Sequence, residues 1–308
     1  MPPRMLALST CWNNHRFSDG MDLAKEIRAM GFEWIEISHG TKVSLLPGLL
    51  NAYQQGIIRV TSLHNFCPSP VEVMMDAPDV YEFTSHRAPE RDRALSLTKA
   101  TIQMATRFGV DRVVMHMGSV PMKSITKELE KMALDGGIYS RPYTEAKLRL
   151  VTEREKASEF YLDRARTALK ELLPVCEEHR VRLGIETRSH FEQIPNEKEM
   201  LVLLNDFADS PWIGAWHDFG HVQRKANLGL LNHAEFLAQI APRLIGCHVH
   251  DVEWPVRDHR IPLTTGGVDF SQLLPLLPEN IPLVWELSPS QKRLRIVEQR
   301  EVWLKNQW

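Results

Sequence analysis

Three carboxylates and one imidazole recur at nearly even spacing through the second half of the chain, at Glu186, Asp218, His248 and Glu286. The gaps between them are 32, 30 and 38 residues, and each gap fits one strand and helix unit. Mixed oxygen and nitrogen donors suit Mn²⁺, Mg²⁺, Co²⁺ or Zn²⁺ better than an ion that prefers thiolates. Without a cation, charged groups packed this closely would repel and shift their pKa values upward. The pattern therefore predicts a divalent metal site.

Other polar residues lie at the ends of apolar runs. His221 lies three residues after Asp218 in HDFGH, near enough for both to reach one centre, although it could equally be a helix-start histidine satisfied by the backbone. Any one strand-end residue alone is explained by ordinary hydrogen bonding. Seven together at six strand ends favour a functional site. These seven are His64, His116, Glu186, His217, Asp218, His248 and Glu286.

Three further residues are candidate functional residues. Glu192, six residues after Glu186, is predicted to reach substrate hydroxyls. Asp258 and Arg260 lie in a later loop, where a solvated loop and a functional role are both open. A guanidinium cannot bind a cation, so Arg260 suits a substrate oxygen or phosphate. Glu36, in the second apolar run, could equally be a buried structural carboxylate, so it is not included in the predicted site.

Eight short apolar or β-branched runs alternate with segments of helical periodicity, which is typical of a parallel sheet built from βα units. The runs cover residues 5–10, 34–38, 60–64, 112–116, 182–186, 213–218, 244–248 and 283–286. The segment CWNNHRF after the first run lacks the glycine-rich turn that binds dinucleotides in open sheets. We therefore predict an α/β protein, a (β/α)8 TIM barrel, with one domain across residues 1–308.

The segments between these runs carry the predicted helices and two long loops. Helical periodicity covers residues 21–30, 93–108, 155–179, 197–207, 233–240 and 270–277. Residues 117–152 exceed what one βα connection needs and contain Gly136, Gly137 and Pro142, so they are predicted to form an excursion over the barrel mouth and a candidate lid. A shorter loop, 249–268, follows the seventh run. Loops that follow the strands form the active face of such barrels.

The composition excludes several classes of protein. The chain has 308 residues, of which 43% are hydrophobic and 25% charged, as expected for a globular barrel rather than a disordered chain. Its formal net charge of −2 disfavours nucleic acid as a partner, because no net positive field attracts phosphates. No apolar run reaches the roughly 18 residues of a membrane span. The N-terminal segment MPPRMLALSTCWNN contains an apolar run that is too short for a signal peptide. The expected location is cytoplasmic, with Cys11, Cys67, Cys176 and Cys247 as reduced, buried thiols.

Six motifs, in order and at predicted strand ends, resemble the xylose isomerase-like barrel superfamily, which includes sugar isomerases, ketose 3-epimerases, inosose dehydratases and endonuclease IV. They are LHNFCP at 63–68, VVMHMGS at 113–119, LGIETRSHFEQ at 183–193, WHDFGH at 216–221, GCHVHD at 246–251 and VWELSP at 284–289. In the epimerase-like members, a Glu, an Asp, a His and a Glu on the last four strands bind the metal. These match Glu186, Asp218, His248 and Glu286, and the two glutamates also act there as the acid/base pair.

The resemblance extends to further site residues. Members similar to the epimerases hold substrate oxygens with residues that match His221 and Glu192. Endonuclease IV-like members carry additional metal ligands that match His64, His116, His221 and Asp258. Where that family has D-x-H, this chain reads Asp258-His259-Arg260, which departs from a full trinuclear zinc site. The ligand on the seventh strand is His248 by G-x-H-x-x-D, with His250 as the alternative by H-x-H-x-x-E; His248 is the favoured match.

The resemblance implies a metal-dependent isomerase or epimerase, or a related dehydratase, that acts on a sugar, keto-sugar or polyol. Glu186 or Glu286 would remove a carbon-bound proton, and the cation would stabilise the resulting enediolate. An endonuclease IV-like zinc phosphodiesterase on abasic DNA is the alternative. A barrel that binds a ligand without turnover is a third interpretation. The expected partner is a small sugar or polyol, no membrane is involved, and a homo-oligomer is left open.

Overall fold

Eight parallel strands close into a barrel in which every strand pairs with its neighbour in the chain and the last pairs with the first. The computed structural model describes residues 4–73 and 77–306, so both ends of the predicted domain, at 1–3 and 307–308, lie outside the described residues. The barrel strands are β1 Leu6–Ser9, β2 Trp34–Ile37, β3 Arg59–His64, β4 Arg112–Met115, β5 Arg182–Glu186, β6 Ile213–Asp218, β7 Leu244–Val249 and β8 Leu283–Trp285. The predicted TIM barrel is confirmed.

Helices pack around the outside of the barrel. They are α1 Gly20–Ala29, α2 Leu46–Gln54, α3 Ala88–Arg107, α4 Ile125–Leu134, α5 Arg141–Glu155, α6 Ser158–His179, α7 Glu197–Asp206, α8 Phe219–Asn227, α9 His233–Ile240, α10 Phe270–Leu273 and α11 Arg293–Lys305. Local side chains begin several of them: Asp19 caps α1, and Asn196 with Glu199 forms a capping box on α7.

The interior of the barrel explains why the strand ends carry the polar residues. Ala7, Val114, Trp216, Ile245 and Val284 form a buried cluster contributed by five strands. Side chains alternate along a strand, so the residue two positions after an inward-facing one also faces inward. The positions two residues beyond Val114, Trp216 and Val284 are occupied by a histidine or a carboxylate at the carboxyl end of the barrel. The apolar layer therefore forms the floor beneath a polar layer.

The predicted excursion at 117–152 contains two helices rather than an irregular loop. Helices α4 and α5 pack on each other around a small core of their own, which includes Leu129, Tyr143 and Leu150. Gly136 and Gly137 lie in the turn between the helices, and Pro142 lies in the first turn of α5, where its missing N–H is tolerated. Gly136, Gly137 and Pro142 therefore mark the boundary between α4 and α5 rather than a long irregular loop.

The second loop, 249–268, contains an antiparallel hairpin of Asp251–Glu253 and Arg257–Arg260. Asp251 holds the rest of this loop, because its two carboxylate oxygens accept the backbone N–H groups of Val252 and of residues 264–268. All four cysteine side chains are buried, as expected. Among residues 4–73 and 77–306, the helices are all too short or too polar to cross a bilayer.

Candidate metal centre

Four side chains from four adjacent strands, β5 to β8, meet at the carboxyl end of the barrel. Glu186, Asp218, His248 and Glu286 each place one ligand atom within 4.8 Å of the others, and all four are buried. His248 Nδ1 faces all three carboxylates, at 3.3 Å from Glu186 Oε1, 3.6 Å from Asp218 Oδ2 and 3.5 Å from Glu286 Oε2. The structure therefore brings together the four residues that the even spacing singled out.

The charges at this point fit a cation. Burial raises the pKa of Glu186, but His116 and His248 outweigh it and hold that pKa well below its usual value. Burial likewise raises the pKa of Glu286, and the attraction of His248 and His259 lowers it to about 2. Burial lowers the pKa of His248, whereas Glu286, Glu36 and Glu186 raise it well above its usual value. The expected upward shift of the carboxylate pKa values is therefore wrong, because, despite burial, the neighbouring imidazoles lower the pKa values of Glu186, Asp218 and Glu286. Three ionised carboxylates thus surround one imidazole nitrogen.

One buried oxygen in this cluster accepts no hydrogen bond within the part of the chain that the structure describes. Glu286 Oε1 accepts no hydrogen bond from any residue in 4–73 or 77–306, and His39 Nε2 lies 3.8 Å away. A buried carboxylate oxygen without a donor is costly, since its desolvation is uncompensated. The other oxygen, Glu286 Oε2, faces His248 Nδ1 and is the one that would ligate a divalent ion together with Glu186, Asp218 and that nitrogen. The donor set therefore fits a metal of the Mn, Mg, Co or Zn kind.

The second oxygen of Glu186 is occupied by two histidines from β3 and from the residue just after β4. His64 Nε2 lies 3.1 Å and His116 Nε2 2.7 Å from Glu186 Oε2. On its far side, His116 Nδ1 contacts Asp79 Oδ1 at 2.8 Å, and Asp79 in turn accepts from Arg188. His64, His116 and Glu186, with two imidazole nitrogens and one carboxylate oxygen, form a second cluster that could hold an ion.

Helix α8 begins directly at the site. Asp218 caps it by accepting the backbone N–H of His221 at 2.7 Å, which fixes both residues over the barrel end. His221 Nδ1 lies 3.3 Å from Glu186 Oε1 and 3.1 Å from the carbonyl oxygen of Thr187. His221 therefore borders the four-residue cluster, as its position after Asp218 suggested.

His250, the alternative ligand on this part of the chain, has a different environment from His248. Its Nε2 lies 3.0 Å from a carboxylate oxygen of Asp218, and its Nδ1 accepts the backbone N–H of His259 at 2.9 Å. Both ring nitrogens are thus engaged. His248 is the histidine whose nitrogen faces the three carboxylates together.

Three predicted substrate or metal residues point to protein partners instead of the cluster. Both carboxylate oxygens of Glu192 accept hydrogen bonds from Thr126, one from its backbone N–H at 2.7 Å and one from its Oγ1 at 2.6 Å. Asp258 Oδ2 contacts Arg224 Nη1 at 2.6 Å. Arg260 Nη2 contacts Glu253 Oε2 at 3.2 Å. The structure does not bring Glu192, Asp258 or Arg260 together with the four-residue cluster.

Comparison with models of protein families matches residues 24–306 to the xylose isomerase-like TIM barrel. The chain belongs to this family. Among solved structures, a D-tagatose 3-epimerase-like protein superposes with a TM-score of 0.70 at 17% identity, over 98% of this chain and 97% of the other. A 3-keto-D-glucoside 4-epimerase from E. coli, in its apo form, gives 0.68 at 13% identity, over 98% and 99%. An IolI protein with a bound zinc atom gives 0.64 at 14% identity, over 98% and 97%.

At these identities the neighbours of this xylose isomerase-like barrel show a shared fold, and they do so over nearly the full length of each chain. A search of curated proteins finds no match. The residues of the site are therefore interpreted from their own geometry.

The structure of this family member also places at the site two residues that were not predicted from the sequence. His39, just after β2, lies against His64 with ring centroids 4.6 Å apart. Glu36, within β2, contacts His248 Nε2 through both oxygens at 3.1 Å. Strand alternation was the signal that could have found Glu36, because it lies two residues after Trp34, which packs on the interior cluster.

Proposed function

We propose that this protein is a divalent-metal-dependent isomerase or epimerase, or a related dehydratase, acting on a sugar, keto-sugar or polyol. The observation that carries the proposal is the convergence of Glu186, Asp218, His248 Nδ1 and Glu286 around one buried point at the active end of the barrel. Two structural neighbours, an epimerase-like protein and an epimerase, agree with the proposal. A zinc atom in a third neighbour agrees with the metal.

The four residues would hold the ion, with Nδ1 of His248 as the nitrogen donor. A bound divalent cation supplies positive charge that stabilises the enediolate formed when a proton leaves a carbon next to a carbonyl. His221, Glu192 and Arg260 are proposed to hold substrate oxygens. His221 already borders the cluster, whereas Glu192 and Arg260 would have to leave Thr126 and Glu253.

The two glutamates are not equivalent as acid/base groups. Glu186 Oε2 is occupied by His64 and His116, and Oε1 lies 3.3 Å from His248 Nδ1. Glu286 Oε1 has no hydrogen-bond partner among the described residues. An unengaged oxygen can accept a proton without breaking an existing contact. We assign proton removal to Glu286 and proton return on the opposite face to Glu186.

The test begins with a panel of keto-sugars and inosose-like polyols, incubated with the wild-type protein and Mn²⁺ and followed by NMR. On a converted substrate, exchange of the carbon-bound proton with solvent is then measured for Glu286→Gln and Glu186→Gln. Glu286→Gln should abolish exchange, and Glu186→Gln should reduce it. Glu171→Gln, on the exposed outer surface of α6, is the control and should exchange like wild type. Undiminished exchange in either site variant removes that residue from the acid/base pair, provided the metal content of the variants is measured alongside.

The second candidate is a zinc phosphodiesterase, and one observation favours it. His64, His116 and Glu186 Oε2 could hold an additional ion, as a multinuclear phosphodiesterase requires. Asp258, which matches a further metal ligand of such a cluster, is instead paired with Arg224. The formal net charge of −2 also weakens attraction to DNA. Elemental analysis separates the candidates: one ion per chain supports the isomerase, and two or three zinc ions support the nuclease.

A further inference from the structure

We infer that Glu36 is a positioning residue for the metal ligand His248: it fixes the imidazole so that Nδ1 faces the cation. The inference rests on the proposed function for the presence of the metal, and on the contacts of Glu36 for everything else. Glu36 and His248 are both fully buried, so neither can exchange its partner for water.

The contacts of Glu36 show that it accepts a hydrogen bond from the imidazole of His248. Ser9 Oγ donates to Oε1 at 3.0 Å, and Ser62 Oγ donates to Oε2 at 2.8 Å. His248 Nε2 lies 3.1 Å from each of the two oxygens. With hydroxyl donors on both sides, the carboxylate acts as the acceptor for the imidazole. The proton of a neutral His248 therefore lies on Nε2, which leaves the lone pair of Nδ1 for the three facing carboxylates and their cation.

The sheet register supplies this arrangement. Glu36 is paired directly with Ser9 on one neighbouring strand and with Ser62 on the other. The second pairing depends on a register shift between Ile35 and Glu36, since Ile35 pairs with Val60 and the following pair skips Thr61. Without that bulge, Thr61 would oppose Glu36. Bulges of this kind re-aim side chains next to functional sites.

A purely structural carboxylate is the competing interpretation, and it predicts a different result. A group that only stabilises the barrel would lower the melting temperature when replaced but leave metal affinity unchanged. Replacing a carboxylate that hydrogen-bonds to a metal-bound histidine typically weakens metal binding by about 10- to 100-fold. Metal affinity therefore distinguishes the two interpretations without a substrate.

The experiment is a Mn²⁺ titration of the purified full-length protein, followed by electron paramagnetic resonance of the free ion. Glu36→Gln should bind Mn²⁺ about 10- to 100-fold more weakly than wild type. The matched control is Glu199→Gln, which alters another buried carboxylate that is paired with Arg154 outside the site. This control should lower the melting temperature and bind Mn²⁺ as wild type does.

Equal affinity of wild type and Glu36→Gln overturns the inference and leaves the proposed function standing. A wild-type protein that binds no divalent ion overturns both. If Glu36→Gln does not fold, nitrogen NMR of the Zn²⁺-loaded wild type decides, with His248→Gln used to assign the signal. A proton on Nε2 of His248 supports the inference, and a proton on Nδ1 overturns it.

Discussion

Asp258 Oδ2 lies 2.6 Å from Arg224 Nη1, and Nη2 of the same guanidinium lies 2.7 Å from Glu130 Oε1. Arg224 is on α8, one turn after His221, whereas Glu130 is on α4 and Asp258 is on the hairpin after β7. One largely buried arginine thus joins both long excursions of the barrel next to the site. The acidic residue that resembles a metal ligand is used to hold these excursions together.

Replacing Arg224 with Met should be strongly destabilising. It leaves two mostly buried carboxylates without their cation, and removing one partner of a buried ion pair costs about 3–5 kcal/mol. The free energy of unfolding, from urea denaturation, measures the change. Arg149→Met is the control, because its ion pair with Glu128 is more exposed and such pairs contribute about 0–1 kcal/mol. Equal costs for the two variants would contradict the role of Arg224.

Asp251→Asn should loosen the loop that follows the hairpin. The amide retains one acceptor oxygen, so several of the backbone N–H groups that Asp251 now accepts would lose their partner. Each buried donor left without an acceptor costs about 1–3 kcal/mol of stability. Amide hydrogen exchange at residues 264–268 should also accelerate. Asp269→Asn is the control, because asparagine caps a helix about as well as aspartate. Unchanged exchange at 264–268 would refute the anchoring role.

Stability should fall on acidification because of a buried histidine pair outside the barrel. His217 Nε2 lies 3.0 Å from His233 Nε2, and burial lowers the pKa of His217 from 6.5 to about 3. Burial also lowers the pKa of His233 well below its usual value. The unfolded chain binds more protons than the folded one between these pKa values, so stability is complete above pH 6.5 and declines toward pH 3.

The variant His217→Gln tests this pH dependence. Glutamine can still donate to His233 but does not titrate, so the slope of unfolding free energy against pH should become shallower in the acidic window. Urea denaturation at a series of pH values measures it. His15→Gln, at an exposed position, is the control and should leave the slope unchanged. A slope that is the same in His217→Gln and wild type would show that the pair does not titrate as described.

Asp218→Asn should lower the metal content several-fold. Asparagine can still cap α8 through the backbone of His221, so the helix start is retained while one anionic ligand is lost. Elemental analysis after dialysis against Mn²⁺ gives the content. Asp206→Asn, on the surface of α7, is the matched control and should retain full content. Metal content equal to wild type in Asp218→Asn would exclude it as a ligand.

The barrel could be predicted from the sequence because its signals are local and repeated. Each apolar run gives a strand within about two residues, since βα alternation recurs eight times. Some helices were missed or misplaced where the local signal was weak. Helix α11 buries only Ile296 and Trp303 among its residues, so its periodicity is faint. The predicted helix at 155–179 corresponds to α6, which begins three residues later at Ser158 because α5 ends at Glu155.

The site was predictable only where the strands alone position the side chains. Strand ends converge in any such barrel, so Glu186, Asp218 and Glu286 could be grouped from spacing. The direction of Glu192 depends on where α4 begins, a tertiary contact that no local pattern contains. Alternation along the strand could have indicated that Glu36 faces inward, but its pairing with Ser62 depends on a register shift between two strands, which the sequence does not reveal.

We propose that one divalent cation binds between the four residues at the carboxyl end of the barrel. Anomalous diffraction from crystals grown with Mn²⁺ tests it most directly. We expect one strong peak within coordination distance of Glu186, Asp218, Glu286 and Nδ1 of His248. A peak held by other residues, or no peak at saturating Mn²⁺, would contradict it.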